Sequence, residues 1–477
     1  MNQGMSTSKI PENEAQFSLK TRDPNGRVFS WQGEIYRAIP AERVEFCERL
    51  FSDGVVDELV KKGLLIDTER TTLQMDGYPL ILKHRTLPFV SYAEEWCPMM
   101  LRDAALKVTD LLITLVGHGL TLQDAHAHNV LFDSTRPLWV DFGSIVPAVT
   151  ETSLPALDEL RLWFLEPLRL RSAGYSGLAR WLLQSSEYPA LQQEMAVLMR
   201  KPSVRSHYNA AKLRLLQMAG RRTPGRLRPL ASRALSLGRK LNSRARPASN
   251  ASPLGSAVQL KRMVESICIP VPRTEWSEYY KEFPSLSPSP EWTLKRHSVH
   301  KVLSELKPAT VLEIGSNRGW YSQLAASLGS QVVAFDVDET AITQLYIDAK
   351  TANQRILPVV MNFKFFTPAR GYFCRTRPAA NERLRCDLVL AIALTHHLVF
   401  KQHLGFDAIV QGLELFAKKW LLVEFKPREN KHVRNWWSET YSWYTLENFV
   451  QALEKRFATV KTVGVEPGAS VLLLCER

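Results

Sequence analysis

Cysteine is scarce in this chain of 477 residues, and its six cysteines are scattered without a C-x-x-C pair. That scarcity excludes a zinc ribbon and a disulfide framework, and it favours a reducing compartment. Long apolar runs are missing too: none approaches the roughly 20 residues that a membrane span needs. The first 20 residues are polar and lack the apolar core of a signal peptide. We therefore expect a cytoplasmic protein without a transmembrane segment.

Acidic residues are missing from one long segment. Between Arg200 and Arg246 there are 14 Lys or Arg and no Asp or Glu, which accounts for the whole net charge of +13. The segment becomes rich in Arg, Pro, Ser and Gly, a composition typical of a solvated linker. It could contact an anionic surface. Nucleic acid is not favoured, because Tyr208 is the only aromatic residue available for base stacking.

The length of the chain predicts two or three domains. Ahead of the basic segment, a hairpin pattern, short strand-like pieces and long helical patterns predict an α+β domain. After it, strands alternate with helices, which predicts an α/β domain. The predicted organisation is a disordered lead at 1–20, an α+β domain at 21–200, a basic linker at 201–256 and an α/β domain at 257–477.

A strand, a glycine turn, a helix and a second strand follow one another early in the α/β domain. The first strand ends in the run E-I-G-S-N-R-G at 313–319, and the second ends on Asp336. Such a half-sheet binds a nucleoside at its turn. Gly315 and Gly319 allow a close backbone approach or a positive φ. Asp336 can accept both hydroxyl groups of a ribose.

The spacing of the glycines in this turn distinguishes between two kinds of cofactor. A dinucleotide fingerprint is G-x-G-x-x-G, with the pyrophosphate at the helix N-terminus. Here the pattern is E-x-G-x-x-x-G: the middle glycine is missing, and Glu313 would repel a pyrophosphate. A carboxylate suits a ligand with a cationic end. The alternative is an ordinary strand–helix–strand unit with a glycine turn.

This pattern with its downstream acid resembles motifs I and II of the class I S-adenosylmethionine (SAM)-dependent methyltransferases. The resemblance implies a seven-stranded Rossmann-like sheet and SAM as cofactor. It also implies that Gly315 and Gly319 line the amino acid and ribose of SAM and that Asp336 holds the ribose hydroxyls. Asn362 ends the third strand, where it could bind adenine or serve as a turn residue. The expected cofactor-binding residues are Glu313, Gly315, Ser316, Asn317, Gly319, Asp336 and Asn362.

Two further strand ends carry polar side chains that could act in catalysis. The fourth strand ends in T-H-H-L, so His396 and His397 lie at the carboxyl edge of the sheet. They could line the pocket, act as a base or, less readily, bind a metal. Glu424 interrupts the apolar fifth strand, and a buried carboxylate needs a partner or a function. The candidate catalytic residues are therefore His396, His397 and Glu424.

The N-terminal half contains a second constellation of polar residues. Asp124 is followed by Asn129 and, after a strand, by an Asp-Phe-Gly sequence that begins at Asp141. The spacing resembles the catalytic and metal-binding loops of protein kinases and aminoglycoside-type phosphotransferases. The resemblance implies Asp124 as the phosphotransfer base, with Asn129 and Asp141 as ligands for Mg²⁺.

This N-terminal region departs from an active kinase in three ways. No glycine-rich phosphate loop precedes it, and Gln123 replaces the arginine of the His-Arg-Asp sequence. Lys83 is the only plausible upstream lysine, and it lies unusually close to the loop. We expect a degenerate kinase-like scaffold. An active Mg-ATP-dependent small-molecule phosphotransferase, alone or in a bifunctional enzyme, is the alternative function.

The order of the sequence blocks resembles the bacterial methyltransferases related to nodulation protein NoeA. These blocks are DAHAHNVLFD, PLWVDFGS, VLEIGSNRGWYS, LAIALTHHL and LLVEFKP, and the resemblance covers most of 22–477 apart from the basic segment. It implies SAM-dependent methyl transfer to a small-molecule or glycan acceptor, at oxygen or nitrogen. A third possibility is a non-catalytic scaffold that docks through its basic linker.

Overall fold

A computed structural model describes residues 9–17, 23–148, 155–184, 252–274 and 285–477. The basic segment, and with it most of the predicted linker, lies outside these residues. Two compact units are present, and they cut across the predicted boundaries near 200 and 257. The first unit joins Met1–Lys107, Ala127–Ser144 and Ile269–Arg477, and the second joins Val108–His126 and Ile145–Cys268.

An antiparallel five-stranded sheet lies in the N-terminal part of the first unit. Its order is β1-β2-β3-β5-β4. The hairpin of β2 and β3 was predicted from the sequence, and Gly33 adopts a φ of 81° in its turn. The strands are β1 (Gln16–Phe17), β2 (Arg27–Trp31), β3 (Glu34–Ile39), β4 (Thr68–Arg70) and β5 (Leu80–His84).

The prediction of a disordered lead over 1–20 is wrong for residues 9–17. Phe17 pairs with Phe29 across β1 and β2, and their ring centroids lie 5.3 Å apart. Ile10 is only 1% exposed and belongs to the core beside this sheet. Ile10 and Phe17 are apolar residues spaced widely within a polar segment. Their burial stabilises the edge strand β1.

Three helices and two short pairs of antiparallel strands follow in the N-terminal half. The long helix of this region begins at Pro98, after a short 3₁₀ turn at Ala93–Glu95. The helices are Ala41–Ser52, Val55–Lys61 and Pro98–Gly117. Strand β6 (Leu120–Leu122) pairs with β9 (Ile145–Pro147), and β7 (Val130–Asp133) pairs with β8 (Arg136–Trp139).

The described residues of the second unit form mainly helices, together with the β6–β9 pair. Its helix Pro253–Glu265 begins inside the stretch that was predicted as linker. Ser252 caps this helix by accepting a hydrogen bond from Gly255 N at 3.1 Å. Lys261 on this helix pairs with Asp110 at 2.6 Å. The other helices are Pro155–Leu160, Glu166–Ser172 and Ser176–Gln184, and a π-helical turn covers Arg161–Leu165.

A mixed seven-stranded sheet forms the C-terminal part of the first unit, so the predicted α/β class and strand number are confirmed. Its order is β12-β11-β10-β13-β14-β16-β15. The first five strands of that order are parallel, and β16 runs antiparallel to β14 and β15. The strands are β10 (Thr310–Ile314), β11 (Gln331–Asp336), β12 (Ile356–Val360), β13 (Cys386–Ala391), β14 (Ala417–Phe425), β15 (Thr459–Glu466) and β16 (Ser470–Glu476).

The parallel strands are buried along nearly their whole length, as expected when helices cover both faces of a sheet. Thr445 caps the last helix, since its hydroxyl accepts a hydrogen bond from Asn448 N at 3.2 Å. The main helices of this part are Leu294–Leu306, Trp320–Ser327, Glu339–Thr351, Phe406–Glu414 and Leu446–Glu454. Of the helices that the structure describes, none has the length and apolar composition of a membrane span.

The strand order places a ligand site at one edge of this sheet. Strand β10 pairs with β11 on one side and with β13 on the other. The chain therefore reverses its direction of travel across the sheet at β10. In open α/β sheets, ligands bind outside the carboxyl ends of the strands at such a reversal. The turn after β10 and the loop after β13 meet there.

Buried ion pairs join N-terminal residues of the first unit to a C-terminal loop. Glu95, in the 3₁₀ turn at Ala93–Glu95, pairs with Arg383, and their side chains are 1% and 5% exposed. Glu95 also accepts a hydrogen bond from Tyr92 N at 2.9 Å. The neighbouring Glu94 is 3.9 Å from both Arg370 and Arg377. Three arginines thus neutralise two buried carboxylates.

Candidate active site

The turn after β10 requires glycine at both of its predicted glycine positions. Gly315 has a φ of 73° and Gly319 a φ of 70°. A Cβ at Gly319 would lie 2.7 Å from Leu345 on helix Glu339–Thr351, and a Cβ at Gly315 would lie 3.1 Å from Leu394. Glycine therefore lets the turn pack closely against that helix and against the loop after β13.

Asp336 organises this turn from the end of β11. Its Oδ2 accepts a hydrogen bond from Asn317 N at 2.8 Å, and its Oδ1 accepts one from Asp338 N at 2.9 Å. Burial raises the pKa of Asp336, and the backbone hydrogen bonds oppose that rise. Asn317 has a φ of 50°, which turns its amide toward the carboxylate. The structure thus brings together Gly315, Asn317, Gly319 and Asp336, as the sequence predicted.

Glu313 takes a different position from the one that its predicted cofactor role requires. It is 3% exposed, and its carboxyl group accepts hydrogen bonds from Ser322 N at 2.8 Å and Ser322 Oγ at 2.5 Å. Burial raises its pKa to about 8. Glu313 therefore braces helix Trp320–Ser327 against β10 instead of facing a ligand. The turn forms as its motif predicts, but Glu313 stabilises it from its buried side.

Replacing Glu313 with glutamine is expected to change how stability depends on pH. The folded protein keeps the proton on Glu313 up to about pH 8, whereas the unfolded chain loses it near pH 4.5. Stability from this group is therefore present below about pH 4.5 and is lost as pH rises to about 8. Glutamine can still accept both hydrogen bonds from Ser322 and does not ionise. The free energy of unfolding is measured with urea near pH 5 and near pH 8. Relative to the wild type, that of the variant should be higher by a few kcal/mol more at pH 8 than at pH 5. An equal difference at both pH values would contradict this prediction.

Two buried hydroxyl groups near the turn have no hydrogen-bond partner among the residues that the structure describes. Ser316 is 3% exposed and Thr395 is 1% exposed. An unsatisfied buried polar atom costs about 1–3 kcal/mol, so such atoms are suited to receive polar groups of a ligand. The orphaned hydroxyls, the close-packed glycines and the Asp336 carboxylate fit a nucleoside with a polar amino-acid tail, which describes SAM.

Asn362 follows β12, as predicted. Its Oδ1 accepts a hydrogen bond from Lys364 N at 2.8 Å, which is the turn role that the sequence left open. Its side chain is half-buried at the same edge of the sheet. A contact with adenine remains a prediction.

His396 and His397 begin the short helix Thr395–Phe400 directly after β13. His396 is 1% exposed and stacks on Trp436 with a centroid distance of 6.1 Å and an interplanar angle of 17°. Burial and the nearby Lys426 lower the pKa of His396, and burial with Lys401 lowers the pKa of His397 to about 4. Both rings are therefore neutral at pH 7. Within the described residues no group of three or more His, Cys, Asp or Glu could hold a metal ion.

Both carboxylate oxygens of Glu424 have partners. It is 1% exposed, and its Oε1 lies 3.1 Å from Lys295 Nζ. Its Oε2 accepts a hydrogen bond at 2.6 Å from the backbone N of Ala393, which has a φ of 57°. The carboxylate therefore ties the loop after β13 to helix Leu294–Leu306. These contacts give Glu424 a positioning role, and its catalytic role stays a prediction.

Two lysines at this edge were not predicted from the sequence. Lys295 is the partner that a buried Glu424 requires, and Lys426 follows β14 with only 7% exposure. The interruption of an apolar strand by Glu424 signalled that this carboxylate has a partner or a function. The cation could not be chosen from the sequence, because Lys295 is 129 residues away along the chain.

Part of the N-terminal constellation lines a cavity of about 480 Å³ in the first unit. Asn129 and Asp141 line it, together with Arg37 and His84. Arg37 Nη2 donates a hydrogen bond to Asp141 Oδ1 at 2.6 Å. The cation facing Asp141 is therefore Arg37 on β3, and the predicted Lys83 instead lies 3.7 Å from Glu34.

The predicted magnesium site does not fit this geometry. Asp141 is engaged by Arg37 and by the backbone N of Gly143 at 3.2 Å, and the amide nitrogen of Asn129 lies 3.5 Å from its other oxygen. A guanidinium in contact with the only carboxylate of the pair opposes a second cation there. Asp124 belongs to the second unit, where the neighbouring Ala125 N donates a hydrogen bond to Glu159.

Comparison with known proteins identifies a relative over nearly the whole chain. The chain is 26% identical to the nodulation protein NoeA of Rhizobium meliloti (strain 1021) over 469 residues, which are 96% of this chain and 95% of that protein. The two proteins are homologues. The predicted resemblance to NoeA is thereby confirmed. No protein-family model matches the chain.

Solved structures show only a distant likeness. WbdD, described as a bifunctional kinase-methyltransferase, is 17% identical over 38% of this chain and 38% of its own, with a TM-score of 0.29. Magnesium protoporphyrin IX methyltransferase (ChlM) of Synechocystis PCC 6803, solved with bound SAM, is 12% identical over 43% of this chain and 91% of its own, with a TM-score of 0.29.

Proposed function

We propose that this NoeA homologue is a SAM-dependent methyltransferase. One observation carries the proposal: the Gly315–Gly319 turn and the Asp336 carboxylate are joined by a hydrogen bond at the point where the strand order reverses. That point is where open α/β sheets bind nucleosides. The missing middle glycine of the dinucleotide pattern favours SAM over NAD.

The residues at the carboxyl edge would act mainly by positioning. Asp336 would hold the ribose hydroxyls, and the turn with the hydroxyl of Ser316 would hold the amino-acid end. When bound, SAM supplies an electrophilic methyl group. Methyl transfer needs the acceptor atom in line with the breaking bond, and orientation of this kind supplies much of a rate enhancement. The loop after β13, fixed by Glu424, would set the wall against which the acceptor lies.

The acceptor would enter over the loops that come after β13 and β14. Trp436 lies against His396 and His397, with centroid distances of 6.1 and 5.3 Å. An aromatic face beside two neutral imidazoles suits a small molecule or a glycan, since sugars stack on aromatic rings. Oxygen and nitrogen acceptors are both compatible with this wall.

A ligand screen tests the proposal. Thermal unfolding of the full chain would be followed with SAM, S-adenosylhomocysteine (SAH), ATP with and without MgCl₂, and NAD. SAM and SAH are expected to raise the unfolding temperature, because a ligand that binds only the folded state stabilises it. NAD is expected to have no effect. A folded protein that responds to neither SAM nor SAH would overturn the proposal.

A second candidate is the phosphotransferase alternative, favoured by the N-terminal cavity beside Asp141 and Arg37. The volume of about 480 Å³ is within the range of ligand pockets, and Arg37 could meet a phosphate. Because the magnesium pair is engaged, we expect ATP to bind there without a need for metal. A thermal shift by ATP that is lost in Asp141→Ala and requires MgCl₂ would favour active phosphotransfer instead.

A further inference from the structure

A buried lysine lies at the carboxyl end of β14. Lys426 is 7% exposed. In the part of the chain that the structure describes, its ammonium group has no hydrogen bond and no ion pair. Burying an unpaired charge is costly. A cation kept in this condition is suited to a ligand that brings the opposite charge.

The groups around Lys426 do not balance its charge. The nearest carboxylate, Glu424, is already paired with Lys295 at 3.1 Å. The charge of Lys426 contributes to lowering the pKa of His396, His397 and His432. The centroids of His396 and His432 lie 6.5 Å apart. Three lysines, Lys295, Lys426 and Lys431, therefore share this cluster with three imidazoles and a single carboxylate, Glu424.

This cluster is continuous with the cofactor turn. Ala393 N donates a hydrogen bond to Glu424, and the next residue, Leu394, packs against Gly315. His396 lies two residues further along, with its Nδ1 unpartnered among the described residues. A group bound by Lys426 would therefore lie on the acceptor side of the glycine turn.

We propose that Lys426 and the surrounding histidines bind an oxyanion of the methyl acceptor, a carboxylate or a phosphate. This inference rests on the proposed methyltransferase function and names the acceptor class of that same site. The neutral imidazoles add hydrogen-bond donors, and the ammonium group adds a charge-assisted hydrogen bond, which is about twice as strong as a neutral one.

An oxyanion acceptor also agrees with the engagement of Glu424, the carboxylate at this edge. One oxygen of the oxyanion attacks the methyl carbon, a new carbon–oxygen bond forms, and the carbon–sulfur bond breaks. The electron pair of that bond returns to sulfur, which gives SAH. No proton is released, because the attacking oxygen is already deprotonated. A hydroxyl acceptor would instead need a base, and Glu424 is held by Lys295 and Ala393.

Anion binding to the full chain tests the inference. Sodium sulfate and sodium acetate serve as probes for phosphate-like and carboxylate-like groups, with tryptophan fluorescence as the readout because Trp436 borders the cluster. Titrations are run with and without saturating SAH on the wild type, Lys426→Met and Lys426→Arg. The control is Lys401→Met, which removes an exposed lysine 4.9 Å from the same tryptophan ring.

The wild type, Lys401→Met and Lys426→Arg are expected to bind one of the two anions with similar affinity. Lys426→Met should bind that anion at least about tenfold more weakly, since one charge-assisted hydrogen bond is lost. The preferred probe identifies the acceptor group. Equal anion affinity in the wild type and Lys426→Met, with SAH binding intact, overturns the inference alone. Anion binding that depends on Lys426 without any SAH binding supports the anion site and overturns the methyltransferase proposal. Should Lys426→Met not fold, Lys426→Gln replaces it.

Discussion

Replacing Asp336 with alanine is expected to weaken SAM binding by about 100-fold or more. Two hydrogen bonds from ribose hydroxyls to a carboxylate are worth about 1.5–3 kcal/mol each, and every 1.4 kcal/mol is a factor of ten. The variant would also lose the acceptor for Asn317 N and Asp338 N, which fixes the turn. The substitution therefore weakens SAM binding and also disturbs the geometry of the turn.

Calorimetric titration of SAM into the wild type and Asp336→Ala measures this effect. Asp387→Ala is the matched control, because Asp387 lies on the same sheet near the amino end of β13, where it pairs with Lys419 at 3.3 Å. The control should bind SAM as the wild type does. Similar SAM affinity in Asp336→Ala and the wild type would show that Asp336 does not bind the ribose.

Replacing Arg383 with methionine is expected to lower the free energy of unfolding by about 3–5 kcal/mol, the usual cost of breaking a buried ion pair. Glu95, which is 1% exposed, would lose its cation. Arg383 also donates a hydrogen bond to Val90 O and stacks over Tyr92 at 4.5 Å, so those contacts are lost as well. The loss arises mainly from the uncompensated carboxylate.

Urea unfolding of Arg383→Met, Glu95→Gln and the double variant separates these contributions. The double variant should be more stable than Arg383→Met alone, because the stranded charge is gone. Lys455→Met is the control: its pair with Asp407 is exposed and should contribute less than about 1 kcal/mol. An Arg383→Met loss as small as that of the control would show that the buried pair does not stabilise the unit.

The cofactor turn could be predicted because its signals are local. Strand, glycine turn, helix and acid come one after another within a short stretch, and each pattern specifies its own backbone. Gly315 and Gly319 adopt the positive φ that their positions suggested. The α/β class could be predicted in the same way from alternating patterns, and the strand number from the resemblance that the turn carries.

The roles of the acids could not be predicted, because they depend on distant partners. Glu313 was singled out by the pattern of the glycine turn, and Glu424 by its place in an apolar strand. Ser322 and Lys295 decide what those acids do, and their positions are set only by the packed fold. Arg37 is a similar case, since it meets Asp141 across 104 residues of chain. A pattern identified each charge, and packing determined its partner.

The most direct test of the central claim is a crystal structure of the full chain grown with saturating SAH. We predict density for SAH at the Gly315–Gly319 turn, with both ribose hydroxyls within hydrogen-bond distance of Asp336 and the sulfur facing the loop after β13. Density in the N-terminal cavity beside Asp141 instead, or none at the turn, would contradict the assignment of this edge as a SAM site.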